Sequence, residues 1–132
     1  MAEFESSVIT LHRRVSLAGI TSGTISSLAP IAHVAFGDGG TDSSGHPIIP
    51  SETQTALTRE LARYQIDEVR HPLTPPTMAR YAVTIPAGDL SGARINEAAL
   101  VDANGNLCAI KTFSDKGKDP GLAMQFELDD EF

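Results

Sequence analysis

The chain has no tryptophan, one cysteine and only seven other aromatic residues in 132. A core without large aromatic rings must be built from valine, isoleucine, leucine and alanine, so we expect it to be thin. A thin core favours oligomerisation, which adds buried area. The single cysteine, Cys108, has no partner for an intramolecular disulfide. It stands between Leu107 and Ala109 in an apolar run, which predicts a small buried hydrophobe and not a reactive thiol.

Catalytic and metal-binding patterns are also missing. The four histidines, at 12, 33, 46 and 71, have no spacing typical of a metal site, and no Gly-x-Ser-x-Gly motif occurs. The glycine-rich stretch 37–50 lacks the lysine of a phosphate-binding loop. Its Asp38, Asp42 and Ser44 could be calcium ligands, although glycine and aspartate form loops without any ligand. We predict no enzyme activity, no catalytic residues, no cofactor and no metal, with calcium binding by this loop as the open alternative.

Basic charge is scarce, because ten Lys and Arg face seventeen Asp and Glu, for a net charge of −7. The few basic residues form no stripe that could follow a phosphate backbone, so we expect no nucleic-acid partner. The longest uncharged stretch, 15–37, is rich in Ser, Thr, Gly and Pro, which predicts no membrane span. The acidic first residues lack the apolar core of a signal peptide, so no leader is expected.

The hydrophobic pattern predicts an α+β fold, mostly antiparallel β-sheet and sandwich-like, with one or two short helices packed on it. Hydrophobic residues make up 41% of the chain, which is ordinary globular composition, and this length is usual for one domain. We expect a single domain, 1–132, with an N-terminal helix or arm over 1–30 and a β-rich part over 31–132.

Two helices are predicted. One follows apolar residues at helical spacing over 8–18. The other begins at Ser51, where Ser51 and Gln54 have the spacing of a capping box, and continues through Leu57, Leu61 and Tyr64 on one face. Asn104-Gly105 predicts the tip of a β-hairpin. Strands are predicted over 31–36, 66–70, 79–85, 94–101, 106–113 and 122–128.

Three charged residues lie within apolar patterns: Glu60, Arg63 and Glu97. A carboxylate at position 97 would be half-buried, and a buried charge needs a partner. We therefore predict that Arg63 reaches Glu97 and fixes the second helix to the hairpin. Glu60 is the competing partner of Arg63, and separate solvated charges are the other alternative.

Four motifs occur in a characteristic order. An apolar strand runs into Gly37-Asp38-Gly39. Three motifs follow it: a Thr-x-Thr-Ala-Leu-x-x-Glu-x-x-Arg segment, a Glu-x-x-Leu-x-Asp-x-x-Gly strand and a Met-x-Phe-Glu-x-x-x-x-Phe ending. Their matching residues are Thr53, Thr55, Ala56, Leu57, Glu60 and Arg63, then Glu97, Leu100, Asp102 and Gly105, then Met124, Phe126, Glu127 and Phe132. In this order, over residues 31–132, the chain resembles the N-terminal domains of phage tail-collar and tail-fibre proteins and the short stand-alone virion proteins found beside them. It departs from them at Ala99 and Val101, where the family usually has glycine and an aromatic residue.

The resemblance implies a structural virion protein of a phage or phage-like (tailocin) tail. Because the sequence stops at 132 without a fibre shaft or tip, we expect a baseplate or collar connector, or a tail-fibre attachment subunit. The implied partners are other tail, baseplate or fibre proteins and further copies of the chain, as a homotrimer or ring. The implied location is the virion tail, assembled in the bacterial host cytoplasm. The residues leave open a non-enzymatic β-rich module that binds a glycan or calcium and, third, a small hydrolase.

Overall fold

The computed structural model describes residues 5–132. Most of its regular structure is antiparallel β-sheet, so the predicted α+β, sandwich-like class is confirmed. In chain order the elements are β1 (Glu5–Ile9), α1 (Leu11–Ser22), β2 (Ile31–Gly37), β3 (Glu60–Gln65), β4 (Glu68–Arg70), β5 (Met78–Ile85), β6 (Arg94–Asp102), β7 (Leu107–Gly117) and β8 (Met124–Glu131). No helix within 5–132 is long and apolar enough to cross a membrane.

Two sheets stack face to face. The larger has the strand order β1-β7-β6-β2-β3, and the smaller has the order β4-β5-β8. Residues alternate between the two faces of a strand, so each sheet sends every second residue inward. Phe36 and Leu100 from the larger sheet meet Val83 and Leu128 from the smaller one in a single buried cluster. The main core therefore lies between the sheets.

The opposite face of the larger sheet is covered as well. A second buried cluster contains Ala35, Ala99, Val101 and Ile110 from this outer face. Leu57 packs on them from the long segment 38–59, which connects β2 to β3. Strand β6 is consequently buried on both faces from Ile95 onward, which explains its nearly continuous apolar sequence.

The N-terminal helix forms, but later than predicted. Residues Glu5–Ile9 are strand β1, in which Val8 faces Ile110 of β7. The helix begins after Thr10, whose side chain accepts a hydrogen bond from the Arg13 N–H as an N-cap. The β-branched pair Val8-Ile9 favours the strand, and the helix continues to Ser22, four residues beyond the predicted end at 18.

The helix predicted from Ser51 is wrong. One of the two capping-box hydrogen bonds forms, from the Ser51 N–H to Gln54 Oε1 at 2.8 Å, but the segment closes only a turn. The following residues become β3 and pair with β2, with Tyr64 opposite Val34. Backbone pairing with β2 and packing of the Tyr64 ring near Phe36 outweigh the local helical pattern, because tertiary contacts override propensity. The residues that the structure describes therefore contain one helix.

The other predicted strands are present with shifted ends. The hairpin predicted around Asn104-Gly105 is formed by β6 and β7, and Gly105 has the positive φ of 87° that such a tip requires. Strand β7 runs four residues further than predicted, to Gly117. Strand β4 is only three residues long, and the last strand lies at Met124–Glu131 instead of 122–128.

Candidate functional site: a glycine turn held by Asn96 and Glu97

The turn that follows β2 packs backbone against backbone. A Cβ atom added at Gly37 would lie 2.4 Å from the Arg59 carbonyl oxygen, and one at Gly40 would lie 2.4 Å from the Asn96 carbonyl oxygen. At Gly39 it would meet the Thr58 Cβ at 2.8 Å. Distances below 3.0 Å are not found for real Cβ atoms. The three glycines are therefore required by close approach to β6 and to residues 58–59.

Glu97 is the centre of this contact. Its side chain is 1% exposed and accepts three main-chain hydrogen bonds. Oε2 accepts from the Gly39 and Arg59 N–H groups, both at 2.8 Å, and Oε1 accepts from the Thr58 N–H at 3.0 Å. A buried carboxylate is tolerated only when hydrogen bonds replace its lost hydration. Glu97 therefore joins both ends of the segment 38–59 to the middle of the larger sheet.

Asn96 holds the same turn beside Glu97. Its Oδ1 accepts from the Gly40 N–H at 2.7 Å, while its Nδ2 donates to Thr41 Oγ1 at 3.1 Å and to Asp115 Oδ1 at 2.9 Å. Neighbouring strand residues normally point to opposite faces. The register of β6 against β7 shifts between Ile95 and Glu97, and such a bulge redirects side chains. We call the turn 37–41, residues 58–59, Asn96 and Glu97 the glycine-turn clasp.

The segment between the two ends of the clasp lies on the outer face of the larger sheet. Thr112 Oγ1 on β7 donates to the Ile48 carbonyl at 2.7 Å, and the Ile48 N–H bonds to the Gly40 carbonyl at 2.8 Å. Leu57 is buried in the outer cluster. The segment is thus a cover for the sheet, and its polar groups are used to hold it there.

Two of the three candidate calcium ligands of this segment, Asp38 and Asp42, have charged or main-chain partners within the protein. Asp42 Oδ1 accepts from the Ser44 N–H at 2.9 Å and the His46 N–H at 3.0 Å. The hydrogen bond from the His46 backbone is the main reason that the pKa of Asp42 lies below its usual value. Asp38 lies 3.3 Å from Arg59 Nε. Within residues 5–132, no group of three or more His, Cys, Asp or Glu is arranged to hold a metal ion.

The three charged residues singled out from the sequence lie in two places. Arg63 pairs with Glu60, the alternative partner, through Nε to Oε2 at 3.0 Å and Nη2 to Oε1 at 2.8 Å. The hydrogen bond to Glu60 raises the pKa of Arg63. Glu97 bonds to main-chain amides instead of Arg63. The expectation of an Arg63–Glu97 contact assumed a helix at 51–64, and both Glu60 and Arg63 lie on strand β3.

Cys108 and His12 are two further side chains that could take part in catalysis, so their surroundings matter. Burial raises the pKa of the Cys108 thiol to about 11, so the thiol is protonated at neutral pH and is a poor nucleophile. His12 Nε2 lies 3.6 Å from Asp102 Oδ2, and Asp102 Oδ1 accepts the Asn104 and Asn106 N–H groups of the hairpin tip, both at 2.9 Å. The Asp102 carboxylate therefore holds the backbone of the hairpin tip.

Sequence reasoning missed Asn96 and the role of residues 58–59. The bulge that turns Asn96 toward the glycine turn leaves no mark in the hydrophobic pattern. The combination of three glycines in four residues with a lone glutamate in an apolar strand was the available signal, because both features indicate close backbone packing around a buried charge.

A family model described as phage tail-collar fibre protein, N-terminal, matches residues 6–125. That range contains the whole glycine-turn clasp. No curated protein and no solved structure matches the chain.

Proposed function

Because the chain belongs to the phage tail-collar fibre protein N-terminal family, we propose that it joins a fibre to the baseplate or collar of the tail. Family membership gives it a structural role in a phage-type tail. The match over residues 6–125 is the observation that carries the proposal, since it spans nearly the whole sandwich. We propose an attachment subunit, present as a homotrimer or ring and assembled in the host cytoplasm.

The contacts of the clasp support this role. Its carboxylate, amide and glycines hold backbone at distances that leave no room for a substrate. Such a site makes a long connecting segment rigid, and rigidity suits a part that transmits load between neighbours. We also propose that residues 1–132 form one domain without enzyme activity. In support, β1 pairs with β7, and Arg13 of α1 bonds Asp130 of β8 at 3.0 Å.

The test is the composition of purified tail particles from the phage or bacterial strain that encodes the chain. Quantitative mass spectrometry is expected to find this protein at a fixed multiple of three or six copies per particle. Its absence from particles, with the protein soluble in the lysate, would contradict the structural role.

A calcium titration tests the alternative of a ligand-binding module. A ligand of the native state raises the melting temperature by mass action. Because Asp42 already accepts two main-chain hydrogen bonds, we expect calcium to leave the melting temperature unchanged. A concentration-dependent increase that Asp42→Asn abolishes would favour the ligand-binding module.

A further inference from the structure

The tip of the β6–β7 hairpin carries the asparagine–glycine pair of the sequence, Asn104-Gly105. Residues 103–106 are exposed, whereas the strand residues on either side, Asp102 and Leu107, are buried. A Cβ atom added at Gly105 would meet nothing within 4 Å, so solvent surrounds the pair. The tip is therefore open to water and to reactions between its own groups.

An asparagine that precedes glycine can modify itself. The Gly105 main-chain nitrogen loses its proton to solvent and attacks Cγ of the Asn104 side chain. The new C–N bond closes a five-membered succinimide ring, and the side-chain nitrogen leaves as ammonia. Water then opens the ring at either carbonyl, which gives aspartate or isoaspartate. Glycine favours the reaction because no Cβ shields its nitrogen and its backbone rotates freely, and asparagine is a thermolabile residue.

Asp102 holds the tip in a shape that opposes this attack. Its Oδ1 accepts from the Asn104 and Asn106 N–H groups, both at 2.9 Å, and its carbonyl accepts from the Gly105 N–H at 2.9 Å. Gly105 has a φ of 87°, and the φ of Asn104 is not positive, which describes a type I turn followed by a left-handed glycine. In such a turn Asn104 has a ψ of about 0°, and ψ must rotate away from this value to bring the Gly105 nitrogen to Cγ. Ring closure therefore requires the tip to open.

We propose that Asn104 is a site of spontaneous deamidation in the folded protein, and that Asp102 limits its rate by holding the tip closed. The reaction takes place in the fraction of molecules whose tip is open while the two sheets stay folded. An exposed turn opens at a lower free energy than the strands of a core. The modification therefore follows local opening of the hairpin tip and not unfolding of the whole chain.

The products differ from asparagine in charge and in backbone length. Both add a carboxylate close to that of Asp102, whose Oδ2 lies 3.6 Å from His12 Nε2 at the start of α1. Isoaspartate also routes the main chain through the side-chain carbons, which lengthens the tip by an extra carbon atom. The Asn104 and Asn106 N–H groups then cannot both keep their bonds to Asp102 Oδ1. Deamidation therefore loosens the hairpin tip beside the helix.

The rate of deamidation in the folded protein is to be compared with the rate in a peptide of residues 100–107. Both would be incubated at the same mildly alkaline pH, and mass spectrometry would follow the replacement of the side-chain nitrogen by oxygen. We expect Asn104 to react about tenfold or more slowly in the protein, because its hydrogen bonds must open first. Asn106, which precedes Leu107, is the internal control and should react far more slowly. Equal rates in protein and peptide, no product at Asn104 in the protein, or a reaction at Asn106 as fast as at Asn104 would overturn the proposal.

Two variants at position 102 test whether this side chain holds the tip. Asp102→Asn keeps an Oδ1 that accepts from the tip N–H groups, whereas Asp102→Ala removes it. The alanine variant should deamidate at Asn104 about tenfold faster than the asparagine variant, whose rate should stay close to that of the wild type. Circular dichroism would check that both variants are folded. Equal rates at Asn104 in the two folded variants would refute the role of Asp102.

Val83→Ala separates opening of the tip from global unfolding. Val83 lies in the core between the sheets, so its truncation lowers the stability of the whole protein without changing the tip. The Asn104 rate should equal that of the wild type even though the melting temperature is lower. A rate that rises in proportion to the loss of stability would mean that the reaction requires global unfolding, and the proposal would be wrong. This comparison and the peptide comparison leave Asp102 unchanged, so they remain decisive if Asp102→Ala does not fold.

Discussion

At the scale of single residues, Glu97 carries the attachment of the segment 38–59. Replacing it by glutamine keeps the shape but puts an NH₂ group where one carboxylate oxygen accepts from main-chain N–H groups. Because buried donors then lose their acceptor, we expect Glu97→Gln to lower the free energy of unfolding by about 3 kcal/mol. Urea denaturation would measure the change.

The control for this substitution is Glu60→Gln. It removes the same charge from a half-exposed pair with Arg63, and such pairs contribute about 1 kcal/mol or less. If both substitutions destabilise the protein equally, the main-chain bonds of Glu97 are not what holds the segment.

The glycines of the turn make a second residue-scale prediction. At Gly40 an added Cβ would meet the Asn96 carbonyl oxygen at 2.4 Å, whereas at Gly117 it would meet nothing within 4 Å. Gly40→Ala must displace backbone of either β6 or the turn, so we expect a loss of about 2 kcal/mol or more. Gly117→Ala should be neutral or slightly stabilising, because alanine restricts the unfolded chain. Thermal unfolding of the two variants compares them, and similar melting temperatures would contradict the close packing.

At the scale of elements, Thr10 connects the helix to the larger sheet. Its side chain is fully buried. Oγ1 donates to the Leu107 carbonyl at 2.7 Å and accepts from the Arg13 N–H at 3.2 Å. Thr10→Ala removes an N-cap and leaves a buried carbonyl short of a donor, so we expect a loss of about 2 kcal/mol.

Thr21→Ala is the matched control for the cap. The Thr21 hydroxyl donates to the Leu17 carbonyl of its own helix at 2.6 Å, in an exposed position. Alanine has the higher helix propensity, so this variant should be neutral or slightly more stable. Chemical denaturation that gives equal losses for both variants would show that Thr10 does not fix the helix to β7.

The sequence predicted the elements whose pattern agrees with their packing. Strand β5 alternates because one face meets the core, and the β6–β7 hairpin follows from Asn104-Gly105. The helix at Ser51 failed because its cap and spacing are local features, while β3 is set by pairing with β2 across 22 intervening residues. The prediction of helix at Val8 and Ile9 was wrong for the same reason, because pairing with β7 places these two residues in strand β1.

The candidate site was predictable only in part. The sequence indicates that Glu97 is a buried charge in need of partners, and that the glycines belong to a loop-forming stretch. The partners themselves are main-chain N–H groups, which every residue except proline has, so no side-chain pattern could identify residues 58–59. Asn96 reaches the turn because β6 has a bulge next to it. The apolar spacing of a strand does not reveal a one-residue register shift, so the sequence could not predict which face of the sheet the Asn96 side chain lies on.

At the scale of the whole molecule, distant parts of the chain hold one another. Strand β1 pairs with β7, the helix bonds β8 through Arg13 and Asp130, and the clasp fixes the segment 38–59 to β6. If one of these contacts opens, the strands and the helix that it joins to the rest of the protein lose part of their packing. We therefore expect a single cooperative unfolding transition.

Chemical modification of the Cys108 thiol can be used to measure this cooperativity. The residue is 2% exposed, so a reagent reaches the thiol only after the structure around it opens. The Cys108 carbonyl accepts from the Thr10 N–H at 3.0 Å, which places the residue beside the start of α1. Burial raises its pKa to about 11, which keeps the folded protein unreactive at pH 8. Modification by a maleimide in native buffer should therefore follow the population of opened molecules.

The clasp variant tests whether that opening is global. If Glu97→Gln costs about 3 kcal/mol, the modification rate of Cys108 should rise about a hundredfold, since each 1.4 kcal/mol changes an equilibrium about tenfold. Glu60→Gln should change the rate several-fold at most. An unchanged rate in Glu97→Gln, despite its lower stability in urea, would mean that the N-terminal strand and helix open separately. The clasp and the N-terminal contacts would then stabilise two independent parts of the sandwich.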